Sequence, residues 1–442
     1  MVTVTPERPA DARTGPVGRV TRSAVTTPGR LSLVAVALLL VTAVTGIVAA
    51  LTLQAKRDTL DDLVAHREPL AAAAQQIFRS LSDADATAAS AFLSGGVEPA
   101  ELRTRYEFDI AQAGSALAKA STDVGGDPLA SAQVEVLSQQ LPVYSGLVET
   151  ARANNRQGFP AGAAYLREAS ALMRSKLLPA AEKLYEIDYD RLQTEQESAR
   201  SVPWVVIALV VLLVAALVAT QRYLTRKTNR LLNVGLVVAS AAVLVSLVWG
   251  ATALLLMSGH VADAERNGSQ QVDVLVQARI NSLKCRADET LTLVARGDGP
   301  GYEQEWQQLA ATLVGDGEQN LLRQAKALAS GDAATGEVQQ AVDNAAAWAD
   351  AHRRIRELDE GGQYEDAVKT AIGAEPNSSA TAFGKLDKNL LTALNAGREE
   401  FFTKTTKAGG ALTGLVPGVA VLALVAAAGI TLGIRERLRE YR

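Results

Sequence analysis

The chain has a single cysteine, Cys285, among its 442 residues. One thiol cannot form an internal disulfide, so disulfides do not hold this fold together, even in an oxidising compartment where such bonds persist. We therefore expect Cys285 to be a small buried hydrophobic residue, and an intermolecular bridge is the alternative.

Motifs of catalytic sites are also missing. The histidines, at positions 66, 260 and 352, do not fall in HExxH or similar metal-ligand patterns, and no GxSxG, P-loop or dinucleotide fingerprint occurs. The glycine-rich GDGPG at 297–301 follows a helical pattern rather than a strand, so it predicts a turn. The sequence therefore predicts no catalytic, cofactor-binding or metal-binding residue, no cofactor, no nucleic-acid partner and no enzymatic activity.

Ionisable residues are absent from four apolar runs, at 31–53, 202–220, 231–257 and 411–434. An α-helix needs about 20 residues to cross a bilayer, and without water its backbone must be helical. The first run is longer than the roughly 7–15 apolar residues of a signal peptide, so we interpret it as an uncleaved anchor. The lack of a charge at membrane depth argues against transport by this chain alone.

The short segments between these runs are basic and the long ones are acidic. Arginines cluster in the tail at 1–30, the loop at 221–230 and the tail at 435–442, which the positive-inside rule places in the cytoplasm. Residues 54–200, the first hydrophilic segment, contain 15 basic and 21 acidic residues; residues 258–410, the second, contain 16 and 23. We expect a multi-pass plasma-membrane protein with cytoplasmic termini and both hydrophilic segments outside.

Both hydrophilic segments are rich in helix-forming residues. Glycine and proline breakers divide the first into four predicted helices, at about 54–94, 98–123, 128–157 and 160–200. Four antiparallel helices with short turns form an up-down-up-down bundle. Because no breaker separates the first span from the first of these helices, we expect one helix over residues 31–93.

The second half of the chain repeats the order and spacing of the first. Ala-Asp-Ala-Thr at 84–87 lies 203 residues before Ala-Asp-Glu-Thr at 287–290, and YSGLVETARANNRQG at 144–158 aligns without gaps with WADAHRRIRELDEGG at 348–362. We infer an internal duplication. The predicted fold is an all-α membrane protein with four transmembrane helices and two tandem extracytoplasmic four-helix bundles.

The repeated aspartates, Asp85 and Asp288, occupy matching positions in the first helix of each predicted bundle. A solvated helix face is the simpler interpretation, and a ligand or partner site is the alternative. The acidic stretch YEIDYD at 185–190 is likewise expected on a solvated face. Tyr144 and Trp348, also at matching positions, are expected to be core anchors rather than stacking platforms.

Glycines repeat along the fourth span in a doubled GxxxG pattern, which permits close helix approach. They are Gly410, Gly414 and Gly418, followed by Gly429 and Gly433. Packing within the membrane bundle and a sliding or dimerising face are both compatible with this pattern. The sequence leaves monomer or dimer open.

Helical bundles held between two spans resemble the sensor halves of chemoreceptors and sensor histidine kinases, although the linker and kinase regions are missing here. The tandem layout, an Ala/Val/Arg-rich composition typical of actinobacteria, and segments such as YSGLVETARANNRQG and AAYLREASALMRSKLLPAAEKLY (163–185) resemble the GlnX family of actinobacterial membrane proteins. The resemblance implies that a solute-binding lipoprotein senses amino acids outside and that a soluble serine/threonine kinase receives the signal inside.

The cytoplasmic parts are too short to hold an output domain, so any output must pass to a partner. We therefore expect a transmembrane signal relay that senses extracellular amino acids. Its output surface would be Arg222 to Arg230 and Arg435 to Arg442, which could equally serve only to anchor the topology. The alternative function is a non-switching structural or accessory subunit of a transporter or cell-envelope complex.

Overall fold

The computed structural model of the protein describes residues 27–63, 68–94, 98–124, 126–228, 233–296, 299–315, 317, 320–330 and 332–439. These residues form helices joined by turns and contain no β-strand, which confirms the all-α prediction. Four helical stretches are long and apolar enough to cross a membrane. They are Gly29–Asp62, Ala161–Arg226, Val234–Ala295 and Ser379–Glu436.

The helices of the first half are α1 (Thr27–Asp62), α2 (Glu68–Leu93), α3 (Ala100–Asp123), α4 (Pro128–Arg156), α5 (Ala161–Leu172), α6 (Leu178–Arg200) and α7 (Trp204–Thr228). Those of the second half are α8 (Val234–Ala264), α9 (Gln270–Ala295), α10 (Pro300–Val314), α11 (Leu321–Leu328), α12 (Asp332–Glu360), α13 (Tyr364–Ile372), α14 (Ser379–Ala411) and α15 (Leu415–Arg439). A π-helical turn joins α5 to α6 at Met173–Leu177, and another joins α8 to α9 at Glu265–Ser269.

Polar and glycine residues set the helix ends. Polar side chains accept hydrogen bonds from free backbone N–H groups, and glycine lets the backbone change direction. Asp127 caps α4, because its side chain accepts hydrogen bonds from the backbone N–H groups of Leu129 (2.6 Å) and Ala130 (3.2 Å), and Pro128 occupies the first helical position. Gly158, after α4, adopts a φ of 70° that a side chain would disfavour. These local signals explain why the breaks in the first hydrophilic segment could be predicted.

The expected continuous helix over residues 31–93 crosses residues 64–67, which lie outside the described residues, so that prediction is not tested there. Helix α1 ends at Asp62, and α2 begins at Glu68. Residues 201–203 interrupt the helical structure, since α6 ends at Arg200 and α7 begins at Trp204.

The chain forms two compact units. The apolar unit comprises the described residues up to 58 together with 201–257 and those from 409 onwards. Its core is a cluster of aliphatic side chains from α1, α7, α8 and α15, among them Leu38, Leu217 and Ile430. Most other large apolar side chains of these helices are exposed, as suits helices that face lipid.

Glycine brings α8 and α15 into backbone contact within the apolar unit. A Cβ atom added to Gly429 would lie 2.6 Å from the carbonyl oxygen of Gly235, and one on Gly235 would lie 2.5 Å from the nitrogen of Gly433. Gly418 packs against the indole of Trp249. Packing within the chain, one of the two interpretations of the glycine pattern, is confirmed at these positions.

The other two glycines of the pattern do not belong to that packed face. Gly414 lies in the turn between α14 and α15 with a φ of 78°, and a Cβ atom on Gly410 would meet no described atom within 4 Å. The doubled GxxxG pattern is therefore interrupted by a turn, which a glycine count alone does not reveal. Pro417 falls in the first turn of α15, where its missing N–H costs no helical hydrogen bond.

The hydrophilic unit comprises Thr59–Arg200 and Ser258–Ala408. One hydrophobic cluster runs through both segments and includes Leu81 of α2, Leu184 of α6, Leu283 of α9 and Leu390 of α14. Helices α2 and α9, the first of each hydrophilic segment, contact one another. The two segments therefore share a core, and the internal duplication stays a prediction.

Candidate functional site

The repeated aspartates lie at the contact between the two hydrophilic segments. Asp85 on α2 and Asp288 on α9 are each only 2% exposed, so the expectation of a solvated face is wrong for both. Helix α2 buries this face because alanines surround Asp85 and let neighbouring helices approach, and Ala84 and Ala88 are themselves buried. A short polar side chain within an alanine-rich stretch was the available signal for burial.

Asp85 is held by two hydroxyl groups of its own segment. The Tyr144 hydroxyl donates to Asp85 Oδ1 at 3.2 Å, and the Ser170 hydroxyl donates to the same oxygen at 2.9 Å. Burial raises the pKa of Asp85 to about 6, although both hydrogen bonds act to lower it. Tyr144 is fully buried, which confirms it as a core anchor, and it is also the residue that positions this carboxylate.

Asp288 is held by an arginine from the other segment. Arg174 Nη1 lies 3.1 Å from Asp288 Oδ1 and 3.1 Å from Glu305 Oε2, and its guanidinium lies 4.5 Å from the ring centroid of Tyr302. Burial raises the pKa of Asp288 to about 7 against the opposing effect of Arg174. The Arg174 charge also acts on Asp85, so one guanidinium influences both repeated aspartates.

Arg174 lies on the π-helical turn Met173–Leu177 between α5 and α6. A π turn inserts one extra residue into a helix and turns side chains off the regular helical face, and such turns are frequent at functional sites. Sequence reasoning missed Arg174, because no periodic or compositional signal marks a π turn. We call Asp85, Arg174, Asp288 and Glu305 the bridging cluster.

Other polar pairs cross between the two segments along α6, C-terminal to Arg174. Lys284 Nζ donates to Glu182 Oε2 at 2.8 Å, and the Tyr185 hydroxyl donates to Asp273 Oδ1 at 3.1 Å. Gln196 Nε2 donates to the Ser269 hydroxyl at 3.2 Å. These pairs fix the register of α6 against α9 and its preceding π turn.

The YEIDYD stretch contributes to this contact rather than lying wholly on a solvated face. Tyr185 and Asp188 are buried, whereas Glu186 and Asp190 are exposed. The expectation was therefore wrong for the buried pair, whose i, i+3 spacing puts both on the packed face of α6. Glu186 and Asp190 lie on the solvated face that the sequence predicted.

A second buried polar network lies within the second hydrophilic segment. Glu289, which follows Asp288, is buried, and its Oε1 lies 2.5 Å from Arg286 Nη1 and accepts from the Ser379 hydroxyl at 2.6 Å. Trp348 Nε1 donates to the same hydroxyl at 2.9 Å. Trp348 is only 2% exposed, which confirms the predicted core anchor.

The imidazole of His352 lies between two carboxylates in this network. Its Nδ1 lies 3.1 Å from Glu289 Oε2 and its Nε2 lies 3.2 Å from Glu303 Oε2, while the Trp306 ring stacks on it at 3.5 Å between centroids. Burial acts to lower the pKa of His352, but the hydrogen bonds to both glutamates outweigh it and raise that pKa. The network favours a charged imidazolium, which also suits the facing indole.

Cys285 is buried, as predicted, and its Sγ donates to the carbonyl oxygen of Trp306 at 3.7 Å. Among the predicted output residues, Arg222, Arg226 and Arg435 are exposed. Residues 1–26, 229–232 and 440–442 lie outside the described residues, and with them lie the predicted N-terminal tail and the predicted output residues Arg230 and Arg442. Within the described ranges, no group of three or more His, Cys, Asp or Glu residues could hold a metal ion.

Comparison with known proteins identifies one related domain. Residues 59–197 match the family model of the actinobacterial sensor domain, a range that runs from the end of α1 through almost all of α6 and contains Asp85 and Arg174. No curated protein and no solved structure matches the chain. The match supports a sensor protein of actinobacterial type with a signalling role, on a chain whose four apolar helices suit a multi-pass membrane protein.

Proposed function

We propose that the protein is a transmembrane signal relay of the actinobacterial plasma membrane. Its hydrophilic segments lie outside and sense amino acids, through a solute-binding lipoprotein, and its cytoplasmic loop and tails pass the signal to a soluble serine/threonine kinase. The chain itself is not an enzyme. The match of residues 59–197 to a sensor domain carries this proposal.

The bridging cluster supports the relay because it joins the matched sensor domain to the second hydrophilic segment. Arg174 belongs to the matched range, and Asp288 and Glu305 lie outside it. A ligand or partner changes such a contact only if it binds two arrangements of the segments with different affinities. A buried ionic contact suits two discrete arrangements, since an intermediate one would leave a charge unpaired.

Crosslinking across the segments tests the relay. Glu182 and Lys284 form an ion pair between α6 and α9 at 2.8 Å, so a Glu182→Cys/Lys284→Cys variant carries a crosslinkable pair there. In membranes of the native host, we expect amino acids to change its crosslinking rate. The control pair Arg103→Cys/Glu107→Cys, which lies within α3, should not respond.

The alternative function, a non-switching structural or accessory subunit, predicts the same crosslinking rate with and without amino acids in both variants. That outcome would contradict the proposed relay. The close glycine contact between α8 and α15 favours this alternative, because backbones in contact resist sliding. Affinity capture of the intact protein tests the partners separately. Recovery of neither a solute-binding lipoprotein nor a soluble kinase would contradict the proposed pathway.

A further inference from the structure

Arg174 joins two helices of the second hydrophilic segment to one another, as well as joining the two segments. Its Nη1 atom lies 3.1 Å from Asp288 Oδ1 on α9 and 3.1 Å from Glu305 Oε2 on α10. A guanidinium keeps its charge over the whole range of physiological pH. The contact with Arg174 therefore depends on how α9 and α10 hold their two carboxylates relative to each other.

His352 joins the same two helices from α12. Its two ring nitrogens face Glu289 Oε2 on α9, at 3.1 Å, and Glu303 Oε2 on α10, at 3.2 Å. Glu289 directly follows Asp288, and Glu303 lies two residues before Glu305. At neighbouring positions, α9 and α10 thus each present one carboxylate to a permanent cation and one to a titratable cation.

The geometry around His352 requires a proton on both ring nitrogens. A carboxylate only accepts hydrogen bonds, and a neutral imidazole has a single N–H group. A neutral ring would therefore direct a lone pair at one of the two carboxylates. His352 is only 1% exposed to the water that could replace the lost donor, so loss of the proton has to break one of the two contacts.

The charged groups around His352 come from three helices. Helix α9 contributes Glu289 and, behind it, Arg286, whose Nη1 atom lies 2.5 Å from Glu289 Oε1. Helix α10 contributes Glu303, and α12 contributes Arg356, whose Nε atom lies 3.4 Å from Glu303 Oε2. Helix α14 contributes only a neutral serine hydroxyl, to Glu289. Among the described residues, His352 forms ion pairs and hydrogen bonds with these two glutamates alone.

The imidazole is the group of this network that changes charge above neutral pH. Burial acts to raise the pKa values of Glu289 and Glu303, but the hydrogen bonds from His352 and the nearby positive charges outweigh it and lower both. The two carboxylates therefore stay ionised, and both arginines keep their charge.

We propose that His352 is a proton switch that controls the contact between Arg174 and the second hydrophilic segment. When the imidazole carries two protons, it holds both glutamates, and α9 and α10 present Asp288 and Glu305 to Arg174 together. Release of one proton to solvent frees α9 or α10 from α12, so the two carboxylates no longer meet the guanidinium in one fixed arrangement. The switch stands on contacts within the hydrophilic unit and needs neither the amino acid nor the partners of the proposed relay.

The switch acts on the alkaline side of the ordinary histidine range. Burial acts to lower the pKa of His352, but the two glutamates raise it above the usual value of 6.5. The clamp therefore contributes its full stability below pH 6.5 and loses it as pH rises through the folded-state pKa. Asp288, whose pKa is raised to about 7, ionises over part of the same range and thereby strengthens its own pair with Arg174. A change of pH alone does not separate these two effects, so variants are needed.

Nitrogen NMR of a single histidine tests the charge of the ring. A His66→Gln/His260→Gln variant leaves His352 as the one histidine of the chain. The full-length protein in nanodiscs, labelled with ¹⁵N-histidine and purified through a histidine-free tag, then gives signals from this ring alone. We expect imidazolium shifts for both nitrogens at pH 6.5, where an ordinary histidine is half protonated. A neutral ring at pH 6.5 would overturn the inference.

The same titration tests the coupling to Arg174. The added pair Arg174→Met/Asp288→Asn removes the contact and takes away one charge of each sign. If protonation of His352 favours this contact, the contact must equally favour protonation, so its loss should weaken proton binding by His352 at least about threefold. An unchanged or higher proton affinity would refute the coupling. Lys176→Met, on the same π turn, is the control and should leave the titration unchanged.

Crosslinking keeps the coupling testable if that variant fails to fold. His352→Gln removes the titratable cation, and the Glu182→Cys/Lys284→Cys pair reports on the contact between α6 and α9. At pH 6.5 and without amino acids, we expect His352→Gln to change the crosslinking rate at least about threefold relative to the control pair within α3. His260→Gln, a histidine outside the network, should not change it. Equal rates in these two variants would contradict the switch.

Discussion

Arg174 supplies the positive charge beside the buried carboxylate of Asp288, and it also reaches Glu305 at the edge of the cluster. The repeat in the sequence pointed to Asp85 and Asp288, but it predicted both on a solvated helix face, because charged residues are normally exposed. The compensating arginine comes from the other half of the chain. Its position depends on a π turn, which neither periodicity nor composition marks in the sequence.

Arg174→Met should destabilise the hydrophilic unit, because it leaves Asp288 buried without its cation. We expect a loss of about 1–3 kcal/mol at pH 8 and a smaller loss at pH 5.5, where Asp288 is protonated. Chemical denaturation at both pH values measures this. Lys176→Met, an exposed position on the same π turn, is the control and should change little.

A double variant distinguishes an ionic role from a packing role for Arg174. Arg174→Met combined with Asp288→Asn removes both charges, so it should recover part of the stability lost in the single variant at pH 8. Equal stability of the single and double variants would mean that the guanidinium acts through its packing against Tyr302 instead.

At the scale of elements, the helix ends were the most predictable feature and the helix partners the least. Asp127, Pro128 and Gly158 act on their own backbone, so a local pattern suffices to locate the ends of α4. Which face of α2 meets α9 depends on residues about 200 positions away. The glycines of the fourth span illustrate this difference. The sequence predicted that their small size allows close helix packing, but it did not predict their partner, Gly235.

Gly235→Ala should push α8 away from α15, because the added methyl group would meet the backbone of Gly429 and Gly433. We expect a loss of about 1–3 kcal/mol, seen as a lower melting temperature of the detergent-solubilised protein. Gly250→Ala is a matched control on the same helix, where a Cβ atom meets no described atom within 4 Å. Equal melting temperatures for the two variants would contradict the close contact.

At the scale of the whole molecule, the hydrophilic unit concentrates buried carboxyl groups. Burial raises the pKa of Asp83 and of four further aspartates, to about 6 for two of these four and to about 7 for the other two. They are Asp85 and Asp273, then Asp109 and Asp288. Each binds its proton more tightly in the folded state than in the unfolded chain, where an aspartate has a pKa near 3.9.

The free energy of unfolding should therefore fall as pH rises from about 4 to about 8, because the folded state must release protons that the unfolded state has already lost. The raised pKa of His352 acts in the same direction. The lowered pKa values of Glu289 and Glu303 act the opposite way, but only as pH falls below about 4.5. Fluorescence of Trp306 and Trp348, which lie in this unit, can follow thermal unfolding across the range.

An Asp109→Asn/Asp288→Asn variant should flatten that pH dependence, since it removes the two carboxyl groups whose pKa is raised to about 7. If the free energy of unfolding of this variant kept the full dependence on pH, other groups would be the ones that take up the protons. The fluorescence of Trp306 and Trp348 reports on the unfolding of the hydrophilic unit, whereas Trp204 and Trp249 belong to the apolar unit.

The shared core of the hydrophilic segments has a consequence for how the protein is made. Helix α2 leaves the ribosome about 200 residues before α9, its packing partner. At about 5–20 residues per second, the apolar face of α2 waits for roughly 10–40 s before that partner exists. During synthesis the face of α2 that packs against α9 is therefore exposed until the second hydrophilic segment has been made.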